Sequence, residues 1–206
     1  GVVSGIVSVI RYDVTAKGQS NHAGTTMMVN RKDALVGMSK LIVAAEEDAR
    51  RLSDTLVFTV GKMQVLPGQE NVIPGEVKAT FEMRHMDKAV TDRFYADIQE
   101  MAAQIPNCDF EFVSTVAKYS TPCDERLVGL IDGVCGEMGI SHVVMPSGAG
   151  HDANAMAHEG VPMGMIFAPS AGGISHHGAE YTEPRHVDMG ADVLYRTVLK
   201  LDEEGL

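Results

Sequence analysis

The sequence predicts an α/β protein in two parts: an α+β module of βαββαβ order over residues 11–118 and a partial three-layer α/β domain over residues 119–206. Residues 1–10 are read as the end of a segment that precedes the module. Two observations carry the prediction. Period-two alternation and three- or four-residue apolar spacing succeed one another in six consecutive segments before residue 119. Beyond it, helical patterns alternate with short apolar runs, which is the pattern of an α/β layer.

Taken in order, residues 7–17 alternate, with Tyr12, Val14 and Ala16 on one face and Arg11, Asp13, Thr15 and Lys17 on the other. From 31 to 52 the apolar residues Leu35, Met38, Ile42, Ala45, Ala49 and Leu52 recur at helical spacing, so this stretch predicts an amphipathic helix. Strands follow at 55–65 and 76–85, separated by the turn-rich segment 67–75. A second helix shows Val90, Phe94, Ile98, Met101 and Ile105 and stops at Pro106-Asn107. A strand at 109–116 completes a ferredoxin-like plan, in which both helices cover one face of a four-stranded antiparallel sheet. The other face is left for solvent or assembly, and Lys78, Thr80, Glu82 and Arg84 on the third strand mark it as a functional surface. The remainder reads as helix 124–138, strand 142–145, a Gly-rich loop, helix 153–158, strand 162–167, a loop and helix 188–201. Two short strands make an incomplete layer.

The 206 residues, 45% of them hydrophobic, suffice for real cores. A formal net charge of −11 excludes nucleic acid and anionic membrane surfaces as partners, because the field repels phosphates, and it leaves a small molecule as the expected one. Cys108, Cys123 and Cys135 have neither even number nor C-x-x-C spacing, so reduced buried thiols are expected, which suits a cytoplasmic protein. No apolar run reaches the roughly 18–20 residues of a membrane span, and no signal-peptide pattern is present. The start at Gly1 without methionine, already in an apolar run, is read as removal of upstream sequence. The thirteen methionines are read as core filling.

Four segments carry chemistry: GQSNHAGTTMMVNRKDA at 18–34, GQENVIPG at 68–75, FEMRH at 81–85, and SGAGHDA at 147–153 together with the loop SAGGISHHGAEYT at 170–182. In this order they resemble the M20-type metal-dependent amidohydrolases that act on allantoate and N-carbamoyl amino acids. The resemblance covers nearly all of the chain. It implies a catalytic α/β domain with two divalent metal ions, zinc or manganese, and an inserted ferredoxin-like dimerisation domain that closes over the substrate. It also implies that His176 is the last metal ligand, the others lying upstream of Gly1, so that this piece is expected to be inactive alone.

The resemblance implies further that His22 crosses a homodimer interface and stabilises negative charge on the substrate oxygen. A loop histidine capping the helix that starts near Arg31 is the alternative. Asn71 and Arg84 match positions that hold a carboxylate and neighbouring polar atoms, a task suited to the planar guanidinium fork. The alternatives are a turn residue for Asn71 and an ion pair with Glu82 or Glu76 for Arg84. Gly148, Ala149 and Gly150 match a loop that offers backbone amides to substrate, with glycines permitting positive φ and close approach. His151 is read as lining the pocket and Asp152 as a helix N-cap. His142, His158, His177 and His186 are read as bystanders. Met27, where the family has proline, is expected to loosen the loop that presents His22.

The resulting reading is part of a dimeric hydrolase that cleaves the C–N bond of a carbamoyl or ureido group on a small carboxylic acid. An M20 aminoacylase or dipeptidase, or a non-catalytic dimerisation module, is the alternative.

Overall fold

The computed structural model describes residues 1–204 and divides into two compact units, Ser8–Ser120 and a second made of Gly1–Val7 with Thr121–Leu206. The first unit follows the predicted βαββαβ order. Its strands β2 (Val9–Lys17), β4 (Val57–Leu66), β6 (Glu76–Arg84) and β7 (Asp109–Lys118) form an antiparallel sheet in the order β4-β6-β2-β7. Strand β1 (Val2–Ile6) belongs to the other unit, and a two-residue ribbon of β3 (Asn21–His22) and β5 (Val72–Ile73) stands apart from the sheet.

Alternation along the strands sorts the side chains. Ile10, Val14 and Ala16 of β2 and Val77, Ala79, Phe81 and Met83 of β6 are buried against helices α1 (Ala34–Leu52) and α2 (Lys88–Gln104). From α1 the core takes Met38, Leu41, Ala45 and Ala49, and from α2 Phe94, Ile98 and Ala102. Phe58 meets Phe81 and Phe94 edge-on, with centroids 5.2 and 5.3 Å apart, an arrangement that suits the ring quadrupoles. Both helices begin on an aspartate, Asp33 accepting from the amides of Leu35 and Val36 and Asp87 from that of Ala89. Such caps are each worth about 1 kcal/mol. Helix α1 therefore starts at Ala34, three residues later than the periodicity placed it.

In the second unit, β1 is the central strand. It pairs in parallel with β9 (Val144–Ser147) and antiparallel with β8 (Thr121–Pro122) and β10 (Met165–Ile166). The sequence showed only two of these four strands, because β8 is two residues long and β1 lies far away in the chain. Val2 and Val3 point to opposite faces. Val2 packs with Ile131, Val134 and Cys135 of α3 (Glu125–Glu137) and Val193 of α5 (Pro184–Glu204), whereas Val3 packs in a cluster that includes Ala153 and Ala157 of α4 (Ala153–His158). These are the three layers.

The three cysteines are free, and no helix among the described residues is long and apolar enough to cross a membrane. Methionine usage is mixed: Met38, Met83 and Met163 are buried, but Met27, Met28, Met63 and Met156 are exposed. Their flexible thioethers are not reserved for the core.

One of the expected bystanders has a structural task. His142 Nδ1 donates to the carbonyl of Ile140 at 2.7 Å and Nε2 to the Asp132 carboxylate at 2.9 Å, an arrangement that uses both ring protons. These two bonds, the carbonyl first, raise the imidazole above its ordinary 6.5. A raised folded-state pKa contributes stability that is fully present below about pH 6.5 and is lost as pH rises through the folded value. A ring-proton titration by NMR should therefore place the midpoint of His142 lower in Asp132→Asn than in the parent.

Candidate active site

The βαββαβ unit carries His22, Asn71 and Arg84, and the α/β unit carries Gly148, Ala149, Gly150, His151 and His176. His22 stands on the short ribbon opposite Val72, and Asn21 stands opposite Ile73. The ribbon is rooted where the chain leaves β2. The amide of Gly18 donates to the carbonyl of Gly75 and that of Gln19 to Lys32, at 2.8 and 2.7 Å. Only glycine fits at 18, since a Cβ there would lie 2.1 Å from the Lys32 carbonyl oxygen.

The ring of His22 is fixed by its own loop. Nδ1 accepts from the amides of Gly24 at 3.0 Å and Thr25 at 3.2 Å. Those two donors assign the proton of the neutral ring to Nε2, so the exposed end of the imidazole is a hydrogen-bond donor. The Arg31 guanidinium holds the loop from behind by donating to the carbonyls of Thr26 and Ala23, at 3.1 and 2.6 Å. Thr26 closes it by donating its hydroxyl to the His22 carbonyl at 2.7 Å. Helix α1 is capped by Asp33, so the capping alternative for His22 is excluded. At Met27 the backbone carbonyl accepts from the Asn30 amide at 2.9 Å, and the other hydrogen bonds that shape the loop involve Gly24, Thr25, Thr26 and Arg31. Arg31 was not foreseen from the sequence, and its place two residues before the capping aspartate was the available signal.

Asn71 joins His22 through the backbone, its carbonyl accepting from the Ala23 amide at 2.9 Å. Its side chain is exposed and makes no hydrogen bond among the described residues. The backbone of Asn71 is thus tied to the segment that carries His22.

Arg84 is elsewhere. It ends β6 on the sheet face opposite the helices and donates from Nε to Glu82 Oε1 at 2.7 Å. The ion pair proposed with Glu82 is therefore present, whereas Glu76 pairs with Lys78. Glu82 also takes a bond from Arg11, which the sequence reading missed although the two residues face each other across strands. Burial raises the Glu82 carboxyl, but the hydrogen bonds from Arg11 and Arg84 outweigh it and leave the pKa below the ordinary 4.5. Lys17 pairs with Glu76 at the ribbon end of the sheet, and Arg84 lies eight residues farther along β6. At the strand rise this is about 26 Å. No small substrate reaches from one to the other within a single chain.

In the α/β unit, Ser147 is buried and its hydroxyl donates to the Ala149 carbonyl at 2.8 Å, shaping the Gly148–Gly150 loop. The conformational freedom that glycine permits is not used for positive φ at Gly148 or Gly150. A Cβ at Gly150 would meet nothing within 4 Å. The cap assignment is also corrected: Asp152 makes no side-chain cap bond, and it is His151 Nδ1 that accepts from the Ala153 amide at 3.1 Å.

His176 adopts φ 57°, a left-handed conformation that costs a non-glycine residue energy and that concentrates at functional sites. Glu180 holds it there by accepting from its amide at 2.8 Å. Ser170 and Ala171 close the loop on Tyr181. Strand β9 runs parallel to β1 and β10 antiparallel, so the Gly148 and His176 loops leave the sheet at opposite ends of β1. Among the described residues no three His, Cys, Asp or Glu side chains form a group that could hold a metal ion. His176 offers one imidazole, and these residues do not fit a resident metal by themselves.

The profile of peptidase family M20/M25/M40 matches residues 13–200. Allantoate amidohydrolase of Escherichia coli (strain K12) is 38% identical over 197 residues, covering 94% of this chain and 48% of that protein. The N-carbamoyl-L-amino acid amidohydrolase of Geobacillus stearothermophilus is 34% identical, covering 98% of this chain and 49% of that protein. Among solved structures, an amidase of the hydantoinase/carbamoylase family from Burkholderia multivorans superposes with a TM-score of 0.88 at 33% identity, covering 96% of this chain and 49% of that one. The chain spans about half the length of these relatives.

Proposed function

The chain belongs to peptidase family M20/M25/M40, and on that premise we propose that it forms part of a dimeric hydrolase that cleaves the C–N bond of a carbamoyl or ureido group on a small carboxylic acid. Residues 11–118 act as the lid and dimerisation domain, and 119–206 with 1–10 contribute to the catalytic domain. The family's amidohydrolases are generally metal-dependent. Two divalent ions, zinc or manganese, are the cofactors of the whole enzyme, and His176 is the residue of this chain that would contribute a ligand.

The observation that carries the reading is the separation of Arg84 from His22 and Asn71. A guanidinium that binds carboxylate and an imidazole that donates to a carbonyl oxygen serve one small molecule only if they come from two copies of the chain. A homodimer with composite sites meets that requirement. In such a site Arg84 pairs bidentately with the substrate carboxylate, and the Asn71 carboxamide meets the polar atoms beside it. The Gly148–Gly150 loop of the α/β unit offers backbone amides to the substrate. The Nε2–H of His22 points at the oxygen on which charge develops, where a fixed donor is most effective.

Assays of the complete enzyme on allantoate and N-carbamoyl-L-amino acids against N-acetyl amino acids and dipeptides test this reading. Faster release from the carbamoyl or ureido acids is expected. Preference for N-acetyl amino acids or dipeptides would move the protein to the aminoacylase or dipeptidase branch. The 206 residues alone should show neither turnover nor stoichiometric zinc or manganese after dialysis.

A further inference from the structure

Among the described residues, Glu82 is the acid on the open sheet face that two guanidinium groups share. Cross-strand register sets Arg11 directly opposite it, and Arg84 follows two residues later on the same face of β6. Arg84 donates from Nε and Nη2 to Oε1 at 2.7 and 2.6 Å, while Arg11 donates from Nε to Oε2. Each oxygen therefore takes a different arginine. The carboxylate is also the most enclosed of the three groups, its side chain 18% exposed against 28% for Arg84 and 42% for Arg11. Two cations and one anion leave the cluster with net charge +1. Partial burial keeps solvent and salt from screening it fully.

We infer that Glu82 is a positioning residue for substrate binding: it fixes the orientation in which the Arg84 guanidinium meets the substrate's carboxylate, with Arg11 anchoring the far oxygen. This rests on the reading of Arg84 as the carboxylate-binding residue. The physical reason lies in the flexibility of the arginine. Its long side chain has many rotamers, and a bidentate contact requires one of them. A carboxylate two residues away on the same strand selects that rotamer before substrate arrives, which lowers the ordering cost of binding. Glutamine at 82 retains the size but loses both charge-assisted bonds and leaves two guanidiniums to repel each other.

The test uses the complete enzyme with allantoate and N-carbamoyl-L-alanine as probes. Glu82→Gln should raise KM about tenfold while kcat changes far less, the signature of lost ground-state binding. Because Glu82 acts through Arg84, the double variant Glu82→Gln/Arg84→Lys should have a KM no higher than Arg84→Lys alone. A merely structural role for Glu82 would lower the melting temperature and leave this coupling absent. The control is Glu111→Gln, which breaks the Lys17–Glu111 pair on the same face and should leave KM unchanged. If Arg84→Lys raises KM and Glu82→Gln does not, or if the two effects simply multiply, the positioning role is overturned. If Arg84→Lys itself leaves KM at the parent value, the reading of Arg84 fails, and the inference fails with it.

Discussion

Replacing His22 by alanine in the complete enzyme is expected to lower kcat by roughly 10²–10³ with little change in KM, because its donor meets a charge that develops only towards the transition state. The tautomer sharpens the expectation. The amides of Gly24 and Thr25 occupy Nδ1, so the ring's donor is Nε2–H. A glutamine at 22 offers a donor without that anchoring and should recover only a small part of the loss. The composite site gives a second readout. His22→Ala and Arg84→Ala homodimers should each be severely impaired, and mixing them with subunit exchange should restore activity. In the heterodimer one of the two sites then combines an intact His22 from one copy with an intact Arg84 from the other. If verified heterodimers show no recovery, His22 and Arg84 do not meet across an interface.

Phe94→Ala should be the most damaging single change to the fold of the βαββαβ unit. The ring is fully buried and packs edge-on against Phe58, which in turn meets Phe81. Removing it deletes apolar contact and leaves a cavity that the surrounding strands cannot close, a loss of about 3–5 kcal/mol. A domain of this size is stable by only about 5–15 kcal/mol. Urea unfolding followed through amide exchange of β2 and β6 would read the change. Val113→Ala, on an exposed position of β7, should stay within about 0.5 kcal/mol of the parent and serves as the comparison. A Phe94→Ala protein as stable as Val113→Ala would mean that α2 is not docked as described.

The sequence by itself determined the βαββαβ order, the buried faces of its strands and helices, and the family. Each of these is written in local periodicity or in contiguous motifs: the alternation of residues 9–17, the spacing of Met38, Ala45 and Ala49, and the runs around His22 and Arg84. Only the tertiary structure decided the rest. The N-terminal run became the central strand of the α/β sheet because its partners Thr121, Val144 and Ile166 lie more than a hundred residues away, and no local pattern encodes that pairing. The ribbon that presents His22 beside Asn71 is two residues per strand, too short to show a period. Helix caps depend on which side chain turns towards an open amide, which is why His151 rather than Asp152 serves α4. The distance between Arg84 and His22 is likewise a property of the sheet. Arg84 is only nine residues past the turn that follows Asn71 and β5, yet an extended strand carries it to the opposite end of the sheet, because a β-strand advances about 3.3 Å per residue where a helix would advance 1.5 Å.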